Sequence, residues 1–313
     1  MLKIDKILII GFGNQAKSWA LNFADSGVDF SIGLRSESPS LIKAKSMGFK
    51  TIELSDELEQ FSTIVLLTPD STHGDILKVI SKKIKAQTSI LYAHGYSVIN
   101  QKLNELYPKF YHILFAPKAI ASELRFQYET GGKLGAVYSL EFLSTEIESS
   151  RKELFKLAKN LGITSGPYET SFKNETYADL FSEQTMLCAI LPYVSNLLFK
   201  KLREKGIEKE TAYFESWYEV KLIADTLIKI GPEKFFDLIS PNALLGSYVG
   251  QKILLDEVFE NKMQDLLENI YSGKFEQQAK ETDLPELKKK INTFWKNQEL
   301  TNVHNEMKDE LFS

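Results

Sequence analysis

Cysteine and long apolar runs are both scarce in this chain of 313 residues. Its one cysteine, Cys188, has no second thiol to pair with, so a disulfide framework within the chain is excluded. The apolar neighbours of Cys188 indicate a buried structural thiol without a chemical role. The longest apolar stretches, such as residues 64–67, are much shorter than the roughly 20 residues that a transmembrane helix needs.

An excess of basic charge is also lacking, because the formal net charge is -4 at pH 7. A nucleic-acid partner would require a basic excess to displace counterions, so the net charge argues against such a partner. The first six residues run directly into an apolar stretch and have no signal-peptide pattern. Hydrophobic residues make up 43% of the chain, which is typical of a soluble globular protein. Together these features predict a cytoplasmic protein with two domains.

A glycine-rich turn follows the first apolar run of the chain. Residues 7–10 are all apolar, which is typical of a strand covered on both faces. The next residues read G-x-G-x-x-A and lead into an amphipathic run, which is the order of a dinucleotide fingerprint. The glycines let the backbone approach a pyrophosphate, and the helix N-terminus offers N–H donors; a plain tight turn is the alternative. The predicted cofactor-binding residues here are Gly11, Phe12, Gly13, Asn14 and Gln15.

The loop after the second predicted strand, residues 29–34, indicates which dinucleotide binds. An NAD site would have an acid at the end of this strand. The chain has Arg35 there, followed by Ser38 and Ser40, which suit a 2′-phosphate through charge-assisted hydrogen bonds. Glu37 does not fit this pattern unless it points to solvent. The loop predicts NADPH rather than NADH, although the serines are also explained as caps of the next helix.

Four further strands are predicted at residues 63–68, 89–93, 112–116 and 136–140. They alternate with helical segments, so the first half is predicted to be an α/β Rossmann-type domain, in which ligands bind at the carboxyl ends of the strands. His94 and Lys118 follow two of these strands and are predicted to lie at that edge. The loop after the strand predicted at residues 63–68 contributes the predicted cofactor residues Asp70, Ser71, Thr72 and His73.

Short strands give way to long helical runs after about residue 164. The predicted organisation is an N-terminal dinucleotide-binding domain, residues 1–165, followed by an all-helical domain, residues 166–313. The polar tail from residue 297 is expected to be partly disordered. Helices are predicted at residues 177–196, 209–230, 248–272 and 283–295.

Two helical runs of the second domain each carry a pair of acids four residues apart. Asp179 and Glu183 form the first pair, and Glu215 and Glu219 form the second. Residues i and i+4 lie on one helix face, so two such helices can assemble four carboxylates. Carboxylate oxygens are the ligands that Mg²⁺ prefers, and two ions would offset the four negative charges. The alternative is two solvated surface pairs, but the apolar residues around both pairs argue against it.

These motifs together resemble the ketol-acid reductoisomerase family, in its short form with a single helical domain. The resemblance covers about residues 7–250. The segments that carry it are Phe12-Gly13-Asn14-Gln15, Gly33-Leu34-Arg35, Ala93-His94-Gly95-Tyr96, Ala116-Pro117-Lys118, Asp179-Leu180-Phe181-Ser182-Glu183-Gln184, Ala212-Tyr213-Phe214-Glu215 and Glu219-Val220-Lys221-Leu222-Ile223.

The resemblance implies an enzyme of branched-chain amino-acid synthesis, the route to isoleucine and valine, that uses NADPH and two Mg²⁺ ions. The family rearranges 2-hydroxy-2-alkyl-3-keto acids of the 2-acetolactate type by a metal-assisted alkyl shift. It then reduces the resulting 2-keto acid with hydride to a 2,3-dihydroxy acid. The family builds its metal site where two subunits meet, so a homodimer or higher homo-oligomer is implied, and its helical domain is knotted.

The resemblance also assigns roles to single residues. His94 belongs to the active site, and Lys118 can orient that site electrostatically. Metal-bound water or hydroxide near Glu215 or Glu219 can take the proton of the substrate hydroxyl, and Glu219 is the predicted catalytic acid of the two. Ser240 falls where the family has a serine that contacts the substrate. The implied metal ligands are Asp179, Glu183, Glu215 and Glu219.

Two segments depart from the family pattern near the substrate. Residues 119–121 are Ala-Ile-Ala where the family has Gly-Pro-Gly, and residues 241–245 are Pro-Asn-Ala-Leu-Leu where it has Asn-Thr-Ala-Glu-Tyr. These changes leave open a divergent family member that reduces a different 2-keto or 2-hydroxy acid. A non-enzymatic NADP-binding protein is a further alternative, which the retained acids disfavour because a scaffold has no need of a costly carboxylate cluster.

Overall fold

Eight strands form one sheet in the computed structural model, which describes residues 2–312. The strands are β1 (Ile7–Ile10), β2 (Phe30–Leu34), β3 (Thr51–Glu53), β4 (Thr63–Leu66), β5 (Ser89–Tyr92), β6 (Tyr111–Pro117), β7 (Gly135–Ser139) and β8 (Ser165–Glu169). Their order is β3-β2-β1-β4-β5-β6-β7-β8. Neighbouring strands pair in parallel, except that β6 and β7 pair antiparallel. This doubly wound order confirms the predicted α/β Rossmann-type fold.

The side chains of β1 show why the sheet is covered on both faces. All four are buried, and successive side chains of a strand point to opposite faces. Ile7 and Ile9 join one apolar cluster with Trp19 and Phe115, whereas Leu8 packs into the other. Because both faces are filled, the carboxyl edge of the sheet is the place left for a ligand.

Seven helices accompany the first seven strands, and an eighth follows β8. A 3₁₀ turn, Asp70–Thr72, directly precedes the third of them. The helices are α1 (Asn14–Asp25), α2 (Pro39–Ser46), α3 (His73–Ile80), α4 (Tyr96–Gln101), α5 (Leu103–Leu106), α6 (Ala121–Thr130), α7 (Ile147–Asn160) and α8 (Phe172–Ser182).

The chain divides into two compact units after Thr176. We call residues 2–176 the sheet unit and residues 177–312 the helical unit. The division predicted after residue 165 falls at the start of β8, which is a strand of the sheet and pairs with β7. Phe172, at the start of α8, is fully buried in one of the two sheet clusters. These contacts explain why the sheet unit extends past β8 into the first turn of α8.

The helical unit contains two π-helical segments among its α-helices. Glu183–Val194 continues α8 as the first segment, and Phe214–Tyr218 is the second. The α-helices are α9 (Ser195–Glu204), α10 (Lys209–Tyr213), α11 (Glu219–Ile230), α12 (Pro232–Leu238), α13 (Pro241–Leu254), α14 (Glu257–Tyr271), α15 (Lys274–Glu281), α16 (Leu284–Lys296) and α17 (Glu299–Phe312). Across residues 2–312, none of the helices combines the length and apolar character needed to span a membrane.

Two predictions about the helical unit are wrong. The run predicted at residues 248–272 is divided between two helices, α13 and α14. Asp256 is the N-cap residue of α14 and accepts a hydrogen bond from the Phe259 backbone N–H at 2.8 Å. The tail is also not disordered, because α17 is a helix. Leu300 and Val303 of α17 are buried in the core of the helical unit. The charged side chains that suggested disorder lie outside this core and form ion pairs with α9 and α10.

Much of the apolar surface of the helical unit remains exposed in a single chain. No side chain of α11, α12 or α13 is buried. Ile228 is 83% exposed, and Leu254 is 70% exposed. Cys188 is exposed as well, so its predicted burial is wrong; the apolar neighbours that suggested burial, such as Leu187, are themselves exposed.

Candidate active site

The glycine-rich turn lies between β1 and α1, at the carboxyl edge of the sheet. Gly11 has a φ of 111°, and a Cβ at this position would stand 2.7 Å from the carbonyl oxygen of Leu67. Only glycine fits there, because a side chain disfavours this backbone conformation and the space is already filled. Phe12 is buried, whereas Asn14 is exposed in the first turn of α1. Gly13 precedes α1, and a Cβ added to it would have no atom within 4 Å. The helix N-terminus is therefore accessible to a phosphate.

Helix α1 is tied to the loop that follows Lys118. Gln15 Nε2 donates to the carbonyl oxygen of Ala119 at 3.2 Å, and Ser18 Oγ donates to that of Ala121 at 2.7 Å. Both bonds use backbone oxygens of residues 119–121, so they do not depend on which side chains this segment carries. The loop that departs from the family pattern is therefore still held against the cofactor helix.

The loop after β2 presents the residues predicted to bind a 2′-phosphate. Arg35 and Glu37 are exposed, and Ser38 and Ser40 are half-buried. Ser38 is the N-cap residue of α2, and Pro39 occupies the first helical turn. The Ser38 hydroxyl makes no capping hydrogen bond. It therefore remains available to a ligand, although its position is also that of a cap.

The loop after β4 is held by hydrogen bonds within the sheet unit. The ring nitrogens of His73 lie 2.7 Å from Ser97 Oγ and 3.0 Å from a backbone carbonyl oxygen of the same loop. Burial lowers the pKa of His73 below its usual value, despite the neighbouring Asp70 carboxylate. Ser71 is exposed and Thr72 is half-buried. His73 thus shapes the predicted cofactor loop from the inside, whereas Ser71 lies at its surface.

Glu175 is the centre of a charged cluster at this edge, and it was not predicted from the sequence. Its side chain is 1% exposed and accepts hydrogen bonds from Lys118 Nζ at 2.7 Å and from the Gly95 backbone N–H at 2.9 Å. His94 Nε2 lies 3.8 Å from Glu175 Oε2, and His94 Nδ1 lies 3.7 Å from Asp70 Oδ2. A buried carboxylate requires such partners, because an uncompensated charge in the interior is costly.

Gly95 allows the loop after β5 to approach α8 closely. A Cβ at this position would lie 2.5 Å from Thr176 Oγ1 and 2.6 Å from the carbonyl oxygen of Phe172. The backbone conformation of Gly95 is an ordinary one, with φ of -79°, so the close approach alone explains the glycine. The His-Gly sequence therefore places an imidazole beside Glu175 and a backbone N–H against it.

A sequence signal for Glu175 does exist. Glu175, Asp179 and Glu183 are spaced by four residues, so Glu175 extends the first acid pair by one helical turn along α8. Its partner Lys118 is 57 residues away in the chain. Local spacing could therefore have nominated Glu175, but only the folded sheet unit shows what it binds.

The four predicted metal ligands lie at the two π-helical segments. Asp179 is half-buried in α8, and Glu183 begins the first segment; Glu215 lies in the second, and Glu219 directly follows it. Glu183, Glu215 and Glu219 are exposed. π-Helical turns are rare, and they occur frequently at functional sites. Within residues 177–312, no three His, Cys, Asp or Glu side chains bring ligand atoms within 4.8 Å of one another, so one helical unit does not assemble the four acids.

Ser240, the predicted substrate-contacting serine, is the exposed N-cap residue of α13. Its Oγ accepts a hydrogen bond from the Ala243 backbone N–H at 3.2 Å. The residues that follow it in α13 are exposed too, including the altered segment 241–245. Ser240 therefore has a local structural role, and its hydroxyl remains at the surface.

Both units match domains of one protein family. Residues 1–166 match the domain described as acetohydroxy acid isomeroreductase, NADPH-binding domain, and residues 172–311 match the ketol-acid reductoisomerase C-terminal domain. The chain belongs to the ketol-acid reductoisomerase family. A curated relative, the ketol-acid reductoisomerase (NADP(+)) of Campylobacter hominis, is 34% identical over 279 residues, which are 88% of this chain and 81% of the relative. The predicted family and the predicted enzyme class, an oxidoreductase, are confirmed.

Solved structures agree with membership of the ketol-acid reductoisomerase family. An NADH-preferring ketol-acid reductoisomerase from an uncultured archean has a TM-score of 0.83 and 25% identity, covering 98% of this chain and 95% of that chain. A semialdehyde dehydrogenase NAD-binding protein from Cupriavidus necator, solved with calcium and NAD, has a TM-score of 0.64 and 17% identity, covering 86% and 99%. The second likeness shows the fold alone.

Proposed function

We propose that the chain is an NADPH- and Mg²⁺-dependent ketol-acid reductoisomerase. Its substrates are 2-hydroxy-2-alkyl-3-keto acids of the 2-acetolactate type, which it converts to 2,3-dihydroxy acids on the route to isoleucine and valine. The observation that carries the proposal is the contact of Glu175 with Lys118 and Gly95 at the carboxyl edge of an NADPH-binding domain of this family. This cluster offers a charged donor and an oriented carboxylate where such folds bind cofactor and substrate.

The first step is the alkyl shift. Loss of the substrate hydroxyl proton lets the alkyl group move, with its bonding electrons, to the neighbouring carbonyl carbon, and a ketone forms where the hydroxyl was. Glu219 is the proposed acceptor of that proton. Ser240, with its exposed hydroxyl, is proposed to contact the substrate.

The second step is reduction of the new ketone. NADPH supplies the hydride when it is bound. The ketone oxygen then needs a proton, and Lys118 is the proposed donor because its ammonium is held by Glu175 while 41% of its side chain stays exposed. His94 is proposed to orient the substrate beside this pair, since its ring lies next to Glu175.

The donor set of the two acid pairs fits Mg²⁺. All four side chains are carboxylates, and hard divalent cations prefer oxygen ligands. Two bound ions would act as Lewis acids on the substrate oxygens. The residues that would hold them are Asp179, Glu183, Glu215 and Glu219.

A second copy of the chain is proposed to complete the helical unit. Exposed apolar side chains cover α11 and α13, and the buried core of this unit is small. An exposed apolar surface of this extent is typical of a protein interface. Within one unit the four acids do not converge, so we propose that Asp179 and Glu183 of one copy meet Glu215 and Glu219 of the other. The proposed location is a reducing compartment, the cytoplasm, where Cys188 stays a free thiol.

The cofactor preference is proposed to be for NADPH. Arg35 is exposed and the Ser38 hydroxyl is not used by the helix cap, so both are available to a 2′-phosphate. Glu37 is exposed too, in agreement with the expectation that it points to solvent. The proposed cofactor site continues through the glycine-rich turn and the loop that begins at Asp70.

One observation favours a second candidate, a family member that reduces a different 2-keto acid. The altered segment 241–245 carries Leu244 and Leu245, which are 48% and 63% exposed on α13 beside Ser240. An apolar pair at this position would change the substrate pocket if a second copy closes over it. The altered segment 119–121 adds Ile120, which is 73% exposed and two residues after Lys118.

Turnover of two substrates separates these possibilities. NADPH oxidation and product formation are measured with 2-acetolactate and with the already rearranged 3-hydroxy-2-keto acid, each with Mg²⁺. We expect both to be consumed, and Lys118→Met to be inactive with both, whereas Lys78→Met, at an exposed position of α3, should match the parent. Reduction of other 2-keto acids without turnover of 2-acetolactate would support the divergent reductase. NADPH binding without any turnover would support the non-enzymatic alternative.

A further inference from the structure

Asp70 lies between two imidazole rings at the start of the loop after β4. Its Oδ1 is 3.8 Å from His73 Nδ1, and its Oδ2 is 3.7 Å from His94 Nδ1. These distances are longer than hydrogen bonds and describe charge contacts. One carboxylate therefore faces a ring from the cofactor loop and a ring from the loop that contacts Glu175.

His73 is not a donor to Asp70. Its Nε2 lies 3.0 Å from the carbonyl oxygen of Thr68, which only accepts, so Nε2 carries the proton. Its Nδ1 lies 2.7 Å from Ser97 Oγ and accepts from that hydroxyl in the neutral ring. Burial lowers the pKa of His73, which favours the neutral ring. The proton that Asp70 can attract from a ring is therefore the one on His94 Nδ1.

The carboxylate of Asp70 has capacity for such a donor. Among residues 2–312, Oδ1 is buried and has no hydrogen-bond donor. Burial alone would raise the pKa of Asp70, but the neighbouring rings of His94 and His73 lower it below its usual value. Oδ1 faces His73, whose Nδ1 accepts from Ser97, so the ring donor left for this carboxylate is His94 Nδ1–H beside Oδ2. Leaving a buried carboxylate without a donor is unfavourable.

The backbone at Asp70 is also fixed. Gln101 Nε2 donates to the Asp70 carbonyl oxygen at 2.8 Å, and Gln101 Oε1 accepts from the Gly74 N–H at 3.1 Å. A Cβ on Gly74 would lie 2.6 Å from Gln101 Oε1, so the Gln101 amide packs closely against this glycine. The carboxylate is thus presented to His94 from a held loop rather than from a mobile one.

We propose that Asp70 is a positioning residue for His94, holding its ring with Nδ1–H towards Asp70 and Nε2 towards Glu175. The consequence for turnover rests on the proposed function, whereas the ring orientation does not. This arrangement joins the cofactor loop to the Lys118–Glu175 pair through a single imidazole. Long contacts of this kind in a free enzyme often tighten when the ligands bind.

The test compares Asp70→Asn with Asp75→Asn, an exposed acid of α3 one turn further on. The chain has four histidines, so imidazole ¹⁵N resonances can be assigned one by one. In the parent and in Asp75→Asn, we expect the two ¹⁵N resonances of the His94 ring to differ, with the proton on Nδ1. In Asp70→Asn that preference should be lost while the His112 resonances stay unchanged.

Kinetics add a readout that a merely structural role would not move. We expect kcat of Asp70→Asn to fall roughly 10–100-fold, the range typical when the partner of a functional histidine is removed. KM for the keto acid should change little, and Asp70→Glu, which keeps the charge, should recover part of kcat. Asp70→Glu also serves if the asparagine variant does not fold, because it should retain the protonated Nδ1 of His94.

Three outcomes decide the matter. An unchanged His94 tautomer in folded Asp70→Asn overturns the proposal, as does a loss of activity that appears only as weaker NADPH binding. An Asp70-dependent His94 tautomer in a protein that turns over no keto acid retains the positioning role and removes the proposed function instead.

Discussion

Lys118 and Glu175 lie 57 residues apart in the chain, yet Lys118 Nζ is 2.7 Å from Glu175 Oε1. Lys118 directly follows β6, and Glu175 lies in the first turns of α8. The two partners differ in exposure, since the Lys118 side chain is 41% exposed and that of Glu175 is 1% exposed. The buried carboxylate therefore depends on its donors, while the ammonium keeps access to a ligand.

Replacing Glu175 by glutamine should reduce both activity and stability. The amide keeps the shape but loses the charge that orients Lys118, so kcat should fall about 100-fold, as when one charged group of an active site is removed. The free energy of unfolding should fall by about 1–3 kcal/mol, because Lys118 is exposed enough to be solvated alone. Steady-state kinetics and urea denaturation measure the two effects.

The matched control is Glu148→Gln. Glu148 also pairs with a cation, Arg151, but its side chain is 74% exposed. An exposed pair contributes little, so stability should change by less than about 1 kcal/mol and activity should not change. Parent-like kcat in Glu175→Gln would show that the buried pair only supports the fold.

A methyl group on Gly95 should separate the loop after β5 from α8. The Cβ of Gly95→Ala would lie 2.5 Å from Thr176 Oγ1, so either the loop or the helix must move. We expect a loss of roughly 1–3 kcal/mol in unfolding free energy, as for overpacked sites, together with a loss of activity. Gly135→Ala is the control, because its Cβ has only an ordinary contact at 3.8 Å. Equal stability of both variants would contradict the close packing described here.

Local patterns were sufficient to predict most of the sheet unit. The apolar run of β1 and the glycine-rich turn after it are adjacent in sequence, and Gly11 shows why the turn needs a glycine. β8 was missed because Gly166 and Pro167 are typical of a turn, and only pairing with β7 makes this segment a strand. The end of the first unit was accordingly predicted ahead of β8.

Properties that depend on distant contacts were not predictable from one sequence. Glu175 lacked a visible partner because Lys118 meets it only in the folded sheet. α17 was predicted as partly disordered from its charge, but Leu300 and Val303 bury against the core of the helical unit. The exposed positions of Glu215 and Glu219 likewise follow from helix packing rather than from their apolar neighbours in sequence.

Two buried histidines should make the protein less stable in mild acid. Burial lowers the pKa of both His73 and His112. The unfolded chain, with a histidine pKa of about 6.5, then takes up a proton more readily than the folded chain. The stability that the neutral histidine contributes is therefore fully present above about pH 6.5. That stability is lost as the pH falls through the folded-state pKa. The unfolding free energy should therefore decrease from pH 7 downward.

His112→Gln isolates one of these two contributions. His112 Nδ1 lies 2.9 Å from the Tyr92 hydroxyl, and Nε2 lies 3.1 Å from the Tyr107 carbonyl oxygen. Glutamine does not titrate, so the slope of unfolding free energy against pH should become smaller in the variant. Urea denaturation between pH 8 and pH 5 measures the slope. An identical slope in parent and variant would remove His112 as a source of the acid sensitivity.

NADPH should bind much more tightly than NADH. The 2′-phosphate is proposed to lie near Arg35 with Ser38 and Ser40, and carboxylates at the two serine positions would repel it. Ser38→Asp combined with Ser40→Asp should reverse the preference in fluorescence titrations. Ser46→Asp, at the exposed end of α2, adds a charge outside this loop and should leave the preference intact. Equal affinities of the parent for both cofactors would refute the assignment.

Mg²⁺ binding should depend on the two acid pairs as one unit. Calorimetric titration of Asp179→Asn and of Glu215→Gln should show a large loss of affinity in each, whereas Glu257→Gln, at an exposed position of α14, should bind like the parent. Effects of single and double variants should be strongly non-additive, because the acids share the same ions. Asp179→Asn should also abolish the alkyl shift, while reduction of a ready-made 2-keto acid survives better, since one ion still polarises a single ketone.

Mixing two inactive variants tests whether the pairs come from different copies. If one copy supplies Asp179 and the other supplies Glu215, a mixed dimer of Asp179→Asn with Glu215→Gln carries both changes in one site and none in the other. After unfolding and joint refolding, roughly a quarter of parent activity should return, because about half of the dimers are mixed and each has one intact site of two. Refolding each variant alone gives the baseline. If all four acids belonged to one chain, every site would keep one defect, and the mixture would stay as inactive as its components.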